Sequence, residues 1–349
     1  MAGTMRAAFL TAHGGNEVVT VGERPSPVRA AGEVLVRLRA ATVNRVDLYM
    51  RDSGAGITHS LPLIIGVDGA GIVAEADPAT PRLAAGQPVV IHPGIGCGQC
   101  EFCLRGDHVL CTAMRVVGEH RDGTFAELIS LPARNLFPMP AGFGFAEAAA
   151  LGVNYLTAWR MLFTKGRLQP WETVLIFGIG SGVSLAALRL ATAVGATAIV
   201  TSRSAAKLER ALAYGAAARI DGSREDVVAR VMEATKGRGV DMVIESVGKA
   251  VWPMALKSLV RGGRIVTCGA TSGDDPSADL RRLFIRQLQV IGSTLGNFEE
   301  FRALLAFCAR HDIRPVIDST FPLEHIREAL EQLESGRQFG KVAIEIAAG

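Results

Sequence analysis

Four cysteines lie within fifteen residues and have the spacing of a complete metal site. Cys97, Cys100, Cys103 and Cys111 follow the pattern C-x2-C-x2-C-x7-C. Four thiolates at this spacing can close on one tetrahedral ion, and zinc is the expected ion because it is redox-inert and favours sulfur ligands in that geometry. Four protein ligands leave no position for water or substrate, so we predict one structural zinc ion per chain. Free or disulfide-bonded cysteines and a rubredoxin-like iron site are the alternatives.

A glycine-rich turn follows the first apolar strand of the second half of the chain. Gly178, Gly180 and Gly182, with Ser181 and Val183 beside them, come directly after "TVLIF" and open a helical pattern. Glycines there allow a tight turn and a close approach to a pyrophosphate, whose charge is favoured by a helix N-terminus. The last glycine of a G-x-G-x-x-G fingerprint is absent. The turn nevertheless starts an alternating strand and helix pattern, which predicts a dinucleotide site; a plain tight turn is the alternative.

The end of the next strand indicates which dinucleotide is bound. No acid stands where an NAD-selecting carboxylate is expected; the chain has Ser202 and Arg203, with Lys207 one helical turn later. An Arg or Lys beside hydroxyl groups suits a 2′-phosphate, so NADP(H) is favoured over NAD(H), the alternative being a solvated strand end. Four residues just past two later strands are expected to meet the nicotinamide through backbone groups: Gly269, Ala270, Ser293 and Thr294.

The composition is that of a globular chain with about two domains. Of the 349 residues, 49% are hydrophobic and 20% are charged. A chain of this length is too long to fold around one hydrophobic core of ordinary size. The 37 basic and 34 acidic residues form no basic stripe, so neither a nucleic-acid partner nor a nucleic-acid-binding zinc module is expected. The N-terminus does not resemble a signal peptide and no apolar run approaches the ~20 residues that span a bilayer. We therefore expect a cytoplasmic protein without a membrane partner.

The strand and helix patterns predict an α/β fold. Short alternating strands broken by Gly and Pro, from Glu33 to about Leu131, predict a β-rich domain. Helical spacing follows from Phe145 to Phe163, and then continuous apolar strands alternate with helical patterns. Such strands predict a parallel sheet that is covered on both faces. Periodicity does not decide whether the last fifty residues rejoin the first domain.

Several motifs together resemble the medium-chain dehydrogenase/reductase superfamily, which includes the zinc-containing alcohol dehydrogenases and the quinone oxidoreductases. They are "VNRVDLY", "LPLIIGVDGAGIV", the four-cysteine lobe, "GEHRDGTFAELI", the glycine turn and "FGKVAIEI". This resemblance covers nearly the whole chain. It implies a GroES-like catalytic domain of residues 1–153 with 296–349, and a Rossmann domain of residues 154–295 that binds NADP(H). It also implies a substrate cleft between the domains and a homodimer or homotetramer formed through the Rossmann domains.

The resemblance also indicates where a catalytic zinc ion would bind. In alcohol dehydrogenases of this superfamily the ligands are a Cys, the His of a Gly-His-Glu motif, and a Cys or an acid. The matching positions are Asn44, Val67 and Val153, with Asp68 in place of the Glu. Valine offers no ligand atom and an asparagine beside one carboxylate binds zinc poorly, so we predict that the catalytic zinc is missing. In this respect the chain is similar to the zinc-independent quinone and enone reductases, which generally lack the cysteine lobe.

Without a catalytic zinc ion the chain would have no Lewis acid at this position, and this restricts the reactions that it can catalyse. Oxidation of a simple alcohol needs a stabilised alkoxide, which bound zinc provides. Hydride addition to a conjugated C=C bond or a quinone is easier, because the charge spreads onto a carbonyl oxygen that hydrogen bonds can stabilise. We therefore predict NADPH-dependent reduction of a small-molecule substrate that is an α,β-unsaturated carbonyl compound or a quinone. The alternatives are an NAD(P)-dependent alcohol or ketone dehydrogenase and a non-catalytic NADPH-binding protein.

Three side chains are the candidate catalytic groups. Asn44 is expected to be a polar anchor at the vacated ligand position, Tyr49 a hydrogen-bond donor and Thr157 a neighbour of the nicotinamide. For Tyr49, a partly buried ring with its hydroxyl on water is an equal alternative. Asp47 is expected to fix the local loop.

Three further polar side chains are interpreted as structural. Lys341, near the end of the chain, is expected to be a solvated surface lysine, and the alternative is that it reaches the substrate cleft. His92 and His120 have no second ligand at metal-binding spacing in the sequence, so both are expected to be structural.

Overall fold

The computed structural model describes residues 3–76, 80 and 82–347. Its strands are β1 (Thr4–Leu10), β2 (Val19–Pro25), β3 (Glu33–Thr42), β4 (Leu63–Ile64), β5 (Gly69–Glu75), β6 (Pro88–Ile91), β7 (Gly94–Ile95), β8 (Arg115–Val116), β9 (Leu128–Pro132), β10 (Leu136–Pro138), β11 (Thr173–Ile176), β12 (Thr197–Ser202), β13 (Ala218–Asp221), β14 (Val240–Glu245), β15 (Leu259–Thr267), β16 (Gln289–Gly292), β17 (Ile317–Pro322) and β18 (Lys341–Glu345).

The α-helices are α1 (Arg45–Ser53), α2 (Glu101–Leu104), α3 (Phe145–Ala150), α4 (Leu156–Trp159), α5 (Gly182–Ala193), α6 (Ala205–Leu212), α7 (Val227–Ala234), α8 (Trp252–Ser258), α9 (Leu280–Arg286), α10 (Phe298–Arg310) and α11 (Ile326–Glu334). Short 3-10 turns lie at Asn16–Val18, Gly54–Gly56, His108–Leu110, Ala133–Asn135 and Leu323–His325, and π-helical turns at Leu151–Tyr155 and Arg160–Lys165. Over the described residues, none of these helices is long and apolar enough to cross a membrane.

The chain divides into two compact units. The first holds the residues up to Val153 together with those from Asn297 onward, and the second is Asn154–Gly296. The first unit is rich in antiparallel strands, whereas the second is a parallel sheet with helices. The predicted class, α/β with a GroES-like and a Rossmann domain, is confirmed.

The largest sheet of the first unit is built around β3. Its strand order is β10-β6-β5-β3-β18-β17, and β9 also pairs with β3. Along β3, Val34, Val36 and Leu38 are buried and the residues between them are half-buried. This alternation follows from the period of two in a strand with one face on the core.

The C-terminal strand completes this sheet. β18 pairs antiparallel with β3, with Ala343 opposite Thr42, and parallel with β17. The last segment of the chain therefore belongs to the first unit, which the periodicity of the sequence did not decide. Because β18 has a neighbour on each side, it lies in the interior of the sheet, and its first four residues are buried.

Lys341, the first residue of β18, is buried and faces Asp68. Lys341 is 3% exposed and Asp68 is 0% exposed. The lysine Nζ lies 3.7 Å from Asp68 Oδ2 and donates a hydrogen bond to the Val43 carbonyl at 3.0 Å. The prediction of a solvated surface lysine is wrong, because the pairing of β18 inside the sheet carries this side chain into the core.

The second unit has the strand order of a dinucleotide-binding sheet. Its six strands are all parallel, in the order β13-β12-β11-β14-β15-β16. The order reverses between β11 and β14, and the carboxyl ends of the strands beside such a switch point form a ligand-binding crevice. All six residues of β14, "VDMVIE", are buried, as expected for a strand covered on both faces.

Replacing Lys341 by methionine tests the buried ion pair. The substitution keeps the length of the side chain but leaves the Asp68 carboxylate buried without a compensating charge, which destabilises a protein by about 3–5 kcal/mol. Urea unfolding followed by circular dichroism measures the difference. Adding Asp68→Asn should recover much of the lost stability, because a neutral amide needs no cation. A Lys341→Met variant as stable as the wild type would contradict the pairing.

Candidate functional site

Two of the sequence motifs are joined backbone to backbone in the first unit. Gly123 donates from its N–H to the Ile64 carbonyl at 2.7 Å, and Thr124 donates to the Gly66 carbonyl at 3.0 Å. A Cβ on Gly118 would lie 2.3 Å from the Gly66 oxygen, and a Cβ on Gly123 would lie 2.4 Å from it. Glycine is therefore required here by the close approach of the two segments. Together they hold the Val67–Asp68 dipeptide in place.

Asp68 is surrounded by hydrogen-bond donors of the protein. Its Oδ1 accepts from the Thr42 N–H at 2.8 Å and from Thr42 Oγ1 at 2.7 Å, and its Oδ2 accepts from Asn44 Nδ2 at 2.9 Å. Burial raises the pKa of Asp68, and the Lys341 ammonium and these donors oppose that shift. Burial lowers the pKa of Lys341, and the Asp68 carboxylate opposes it. Each charge therefore opposes the effect of burial on the pKa of its partner.

Asn44 links these groups. Its Nδ2 donates to Asp68 and also to the Thr42 carbonyl at 3.0 Å, while its Oδ1 accepts from Lys341 Nζ at 2.6 Å. Asn44 is 3% exposed. Both ends of the amide that was predicted to anchor a substrate are thus engaged with the protein. We call Thr42, Asn44, Asp68 and Lys341 the buried polar cluster.

The buried polar cluster includes two of the positions that the resemblance relates to a catalytic zinc. Val67, 1% exposed, offers no ligand atom, the amide of Asn44 is engaged, and the charge of Asp68 is balanced by Lys341. A catalytic zinc ion needs three protein ligands with available lone pairs. The residues present do not fit one. Over the described residues, only the four cysteines form a group of three or more His, Cys, Asp or Glu side chains close enough to hold a metal.

Asp47 lies beside the buried polar cluster, on α1. Its Oδ2 accepts from the Asn44 N–H at 2.7 Å, so it fixes the start of the helix, the local role expected from the sequence. Burial, reinforced by the charges of Asp68 and Glu119, raises the pKa of Asp47 to about 8. Its Oδ1 is buried and has no hydrogen-bond partner among the described residues. Burial therefore favours the protonated form of Asp47.

Glu119 is an acidic neighbour that the sequence analysis did not assign. Burial raises the pKa of Glu119 to about 7. Its Oε2 lies 3.9 Å from His120 Nδ1, which accepts a hydrogen bond from the Val116 N–H at 3.0 Å. His92 Nδ1 likewise accepts from the Gly94 N–H at 3.1 Å. The only signal for Glu119 in the sequence was its place in "GEH", and its burial comes from the tertiary fold.

The other two candidate catalytic side chains differ in exposure. Tyr49 is 41% exposed, on α1, in the first unit. Thr157 is 6% exposed and belongs to α4 of the second unit, between the two π-helical turns. π-Helical turns are rare and frequently mark functional sites.

The four cysteines converge in the first unit. Their sulfur atoms all lie within 4.8 Å of one another, and Cys97 Sγ is 3.9 Å from Cys103 Sγ. A tetrahedral zinc ion with Zn–S bonds of about 2.3 Å separates its sulfurs by about 3.8 Å. The N–H of Cys97 donates to Cys111 Sγ at 3.3 Å, and backbone donors at Gln99 and Cys100 lower the pKa of Cys97 to about 6. The described cysteines form no disulfide. These residues fit a structural zinc ion.

The glycine turn lies at the carboxyl end of β11, beside the switch point. Gly178 and Gly180 have φ angles of +68° and +107°, which favour glycine. Ser181 caps α5, since its Oγ accepts from the Ser184 N–H at 3.2 Å, and Gly182 and Val183 form the first turn. The helix N-terminus and these glycines fit a pyrophosphate.

Ser184 is a supporting residue that the fingerprint did not reveal. It is 1% exposed, and its Oγ donates to the Gly178 carbonyl at 2.8 Å. This bond fastens α5 to the turn near the position of the absent glycine. The sequence contained the signal only as a small residue after the turn.

Hydroxyl and cationic side chains surround the end of β12. Ser202 Oγ accepts from the Ser204 N–H at 3.2 Å, and Arg203 is exposed. A Cβ on Gly180 would lie 2.7 Å from Lys207 Cδ, so the lysine side chain lies over the glycine turn. The structure thus brings Lys207 beside the turn and leaves Arg203 facing solvent near it.

The ends of β15 and β16 carry the residues predicted to meet the nicotinamide. Gly269, Ala270 and Thr294 are exposed at this edge, and the Ser293 N–H donates to the Thr267 carbonyl at 2.9 Å. The buried Ser293 hydroxyl has no hydrogen-bond partner among the described residues. A cofactor amide or hydroxyl would satisfy such a group.

Glu245 organises the neighbouring loop and was missed by the sequence analysis. It is the last residue of β14 and is 0% exposed. Its Oε1 accepts from the N–H groups of Val247 and Gly248, and its Oε2 accepts from Thr267 Oγ1 at 3.2 Å. An acid at the end of the strand "VDMVIE" was the available signal.

Comparisons with known proteins agree with this geometry. The family model described as "Alcohol dehydrogenase GroES-like domain" matches residues 30–141, and the model described as "Zinc-binding dehydrogenase" matches residues 182–310. An alcohol dehydrogenase of Geobacillus stearothermophilus is 31% identical, over 95% of this chain and 96% of the relative.

Two solved structures extend the comparison. An NAD-dependent alcohol dehydrogenase superposes with a TM-score of 0.95 at 39% identity, covering 98% of this chain and 100% of that one. A crotonyl-CoA carboxylase/reductase superposes with a TM-score of 0.92 at 26% identity, covering 99% of this chain and 90% of that one. With the glycine turn, the strand order and the cysteine lobe, these similarities establish the family. The chain belongs to the zinc-type medium-chain dehydrogenase/reductase superfamily and is an NAD(P)H-dependent oxidoreductase.

Proposed function

We propose that this oxidoreductase reduces an α,β-unsaturated carbonyl compound or quinone with NADPH, without a catalytic zinc ion. The observation that carries the proposal is the buried polar cluster. An alcohol dehydrogenase of the zinc type stabilises an alkoxide on its metal ion. Here Lys341 and Asp68 engage both ends of the Asn44 amide, and Val67 stands where the family has a histidine ligand. The chain therefore lacks the donor set that alkoxide chemistry requires.

Conjugate reduction needs less from the protein. When bound, NADPH would supply a hydride to the β-carbon of the substrate. On the substrate, the electron pair of the C=C bond would move toward the carbonyl oxygen, and the α-carbon would take a proton from solvent, so that the product is neutral. Hydrogen bonds alone can stabilise that oxygen. In this scheme Asn44 is a positioning residue within the cluster, and Tyr49 and Thr157 are the candidate donors.

The relatives support two different substrate classes. The name of the crotonyl-CoA carboxylase/reductase describes reduction of an α,β-unsaturated thioester, which is the chemistry proposed here. The alcohol dehydrogenases among the relatives favour alcohol or ketone chemistry as the second candidate. The first class is favoured here, because Asn44 and Val67 stand at positions where the resemblance places zinc ligands.

The cofactor preference is inferred from the end of β12. Ser202 and the exposed Arg203, with Lys207 over the glycine turn, supply a hydroxyl and two cations and no carboxylate. A 2′-phosphate would be favoured by those charges, whereas the ribose 2′-hydroxyl of NAD would lack its usual acceptor. The NAD-dependent relative makes NADH the alternative that an experiment must exclude.

We further propose a homodimer, or a homotetramer built from it, through the second unit. β16 is an edge strand of the parallel sheet, and Val290 on it is 45% exposed. On the preceding helix α9, Leu280 and Phe284 are each 70% exposed and Ile285 is 48% exposed. An exposed edge strand beside an apolar patch is an interaction surface. A second copy of the chain is the proposed occupant.

Metal content and turnover together test the zinc-free mechanism. Purified protein should contain one zinc per chain, and NADPH oxidation with enones or quinones should survive chelators that leave the cysteine-bound ion in place. Cys103→Ser should lose the zinc and unfold at lower temperature, because a structural zinc contributes directly to folding. Ketone reduction that is lost when a second, more labile zinc ion is removed, and that persists in a variant lacking His13 and His59, would establish a metal-dependent alcohol dehydrogenase instead.

Arg203→Ala tests the cofactor assignment. Loss of a cation beside the 2′-phosphate should raise the KM for NADPH about tenfold while the KM for NADH changes little. Arg261→Ala is the matched control, since Arg261 lies near the start of β15, at the other end of the sheet. Steady-state kinetics with both cofactors gives the answer. A wild-type preference for NADH, or equal effects of the two substitutions, would refute the assignment.

Phe284→Asp tests the assembly. A carboxylate in the apolar patch should oppose its burial against a second copy, and the particle should dissociate to the mass of one chain. Size-exclusion chromatography with light scattering measures that mass. Trp171→Asp is the control, because Trp171 is 79% exposed and not on α9 or β16. An unchanged oligomer in Phe284→Asp would place the interface elsewhere.

A further inference from the structure

Two histidines meet at the surface of the first unit, far from the cysteine lobe in sequence. His13 follows β1 and His59 follows the 3-10 turn after α1. Their Nε2 atoms are 3.1 Å apart, and the rings meet edge to face with an interplanar angle of 83°. The pair was not identified in the sequence, because 45 residues separate the two histidines.

The hydrogen bonds of the two rings fix their tautomers. His13 Nδ1 lies 2.9 Å from the Met50 carbonyl oxygen, and His59 Nδ1 lies 2.7 Å from the Ile57 carbonyl oxygen. A carbonyl oxygen only accepts, so each Nδ1 carries the proton and donates it. In the neutral rings both Nε2 atoms therefore present lone pairs to each other. Two lone pairs at 3.1 Å repel unless a cation lies between them.

We propose that His13 and His59 bind a divalent transition-metal ion, such as Ni²⁺ or Zn²⁺, through their Nε2 atoms. With metal–nitrogen bonds of about 2.1 Å, the observed separation of the two Nε2 atoms gives an N–metal–N angle of about 95°, which suits two adjacent ligands. An Nδ1–H group that donates to a backbone carbonyl is the arrangement that orients histidine ligands of metal ions. The remaining coordination positions open to solvent, since His13 is exposed.

The surrounding backbone is shaped for this pair. Gly54 ends α1 with a φ angle of +70°, and a Cβ there would lie 2.6 Å from His59 Cε1 and 3.0 Å from His13 Nε2. The Met50 carbonyl that holds His13 belongs to the last turn of α1, where the helix dipole favours a cation. The Gly14 N–H donates to the Arg51 carbonyl at 2.9 Å, which ties the loop of His13 to the same helix end.

Neighbouring histidines do not complete the site. Over the described residues no third His, Cys, Asp or Glu side chain lies close enough to join the pair, and His120 Nδ1 accepts from the Val116 N–H at 3.0 Å. The proposed ion is thus held by two protein ligands and water, and its affinity should be lower than that of the cysteine lobe. It would join the loop after β1 to the loop after α1. This inference does not depend on the proposed function.

Ni²⁺ binding to the tag-free, zinc-loaded protein tests the site. Equilibrium dialysis should find one Ni²⁺ per chain, and His13→Asn and His59→Asn should each weaken its binding at least about tenfold, because loss of one ligand removes the chelate. His325→Asn is the control: His325 is also exposed, with Nδ1 on Glu328 instead of a carbonyl. This variant should bind Ni²⁺ as the wild type does.

Other results would overturn the proposal. Unchanged Ni²⁺ binding in both His13→Asn and His59→Asn would locate the ion elsewhere, and no saturable binding to the wild type below about 1 mM would mean that the rings share only a proton. Retained cysteine-bound zinc and an unchanged circular dichroism spectrum establish that the variants fold. Because the readout is Ni²⁺ and not NADPH oxidation, failure here is distinct from failure of the proposed reaction.

Discussion

The first unit depends on how a buried carboxylate is neutralised. Asp68 has no exposed surface, and an isolated charge in such a place is strongly disfavoured. Its compensation comes from both ends of the chain: Thr42 and Asn44 supply donors from the end of β3, and Lys341 arrives on β18. The pairing of β18 with β3 is therefore needed to neutralise Asp68 as well as to complete the sheet. If the C-terminal segment were displaced, the Asp68 carboxylate would either stay buried without its cation or become exposed to solvent.

The same cluster explains why the chain has one metal-binding set of residues and lacks the other. The cysteine lobe gathers its four ligands within a short segment, and its sulfurs take part in no bond of the buried polar cluster. The catalytic position has different requirements, because a zinc ion there would need Asn44 and residue 67 as ligands. Asn44 instead accepts a hydrogen bond from Lys341 and donates one to Asp68, and these bonds stabilise the position without a metal ion. Structural and catalytic metals are therefore separable in this fold.

Features that depend on short stretches of the chain were predictable from the sequence, whereas features that depend on contacts between distant residues were not. The cysteine spacing, the glycine turn and the alternation of apolar strands are short-range signals, and each one led to the feature found in the fold. The burial of Lys341 depends on the pairing of β18 with β3, about 300 residues apart in sequence, which no local pattern contains. The meeting of His13 and His59 and the raised pKa of Glu119 have the same origin, since both follow from tertiary packing.

The polar groups of the buried polar cluster already have partners within the protein, and this restricts how a substrate can be bound. Asn44 was the obvious polar anchor, yet its amide already donates to Asp68 and accepts from Lys341. A substrate carbonyl would have to break one of these buried bonds to use it, and an unsatisfied buried partner costs about 1–3 kcal/mol. Recognition by the exposed Tyr49 hydroxyl or by backbone N–H groups has no such penalty. Under the proposed zinc-free function, substrates whose charge spreads over a conjugated system would be favoured, because such charge needs no single strong donor at a localised oxyanion.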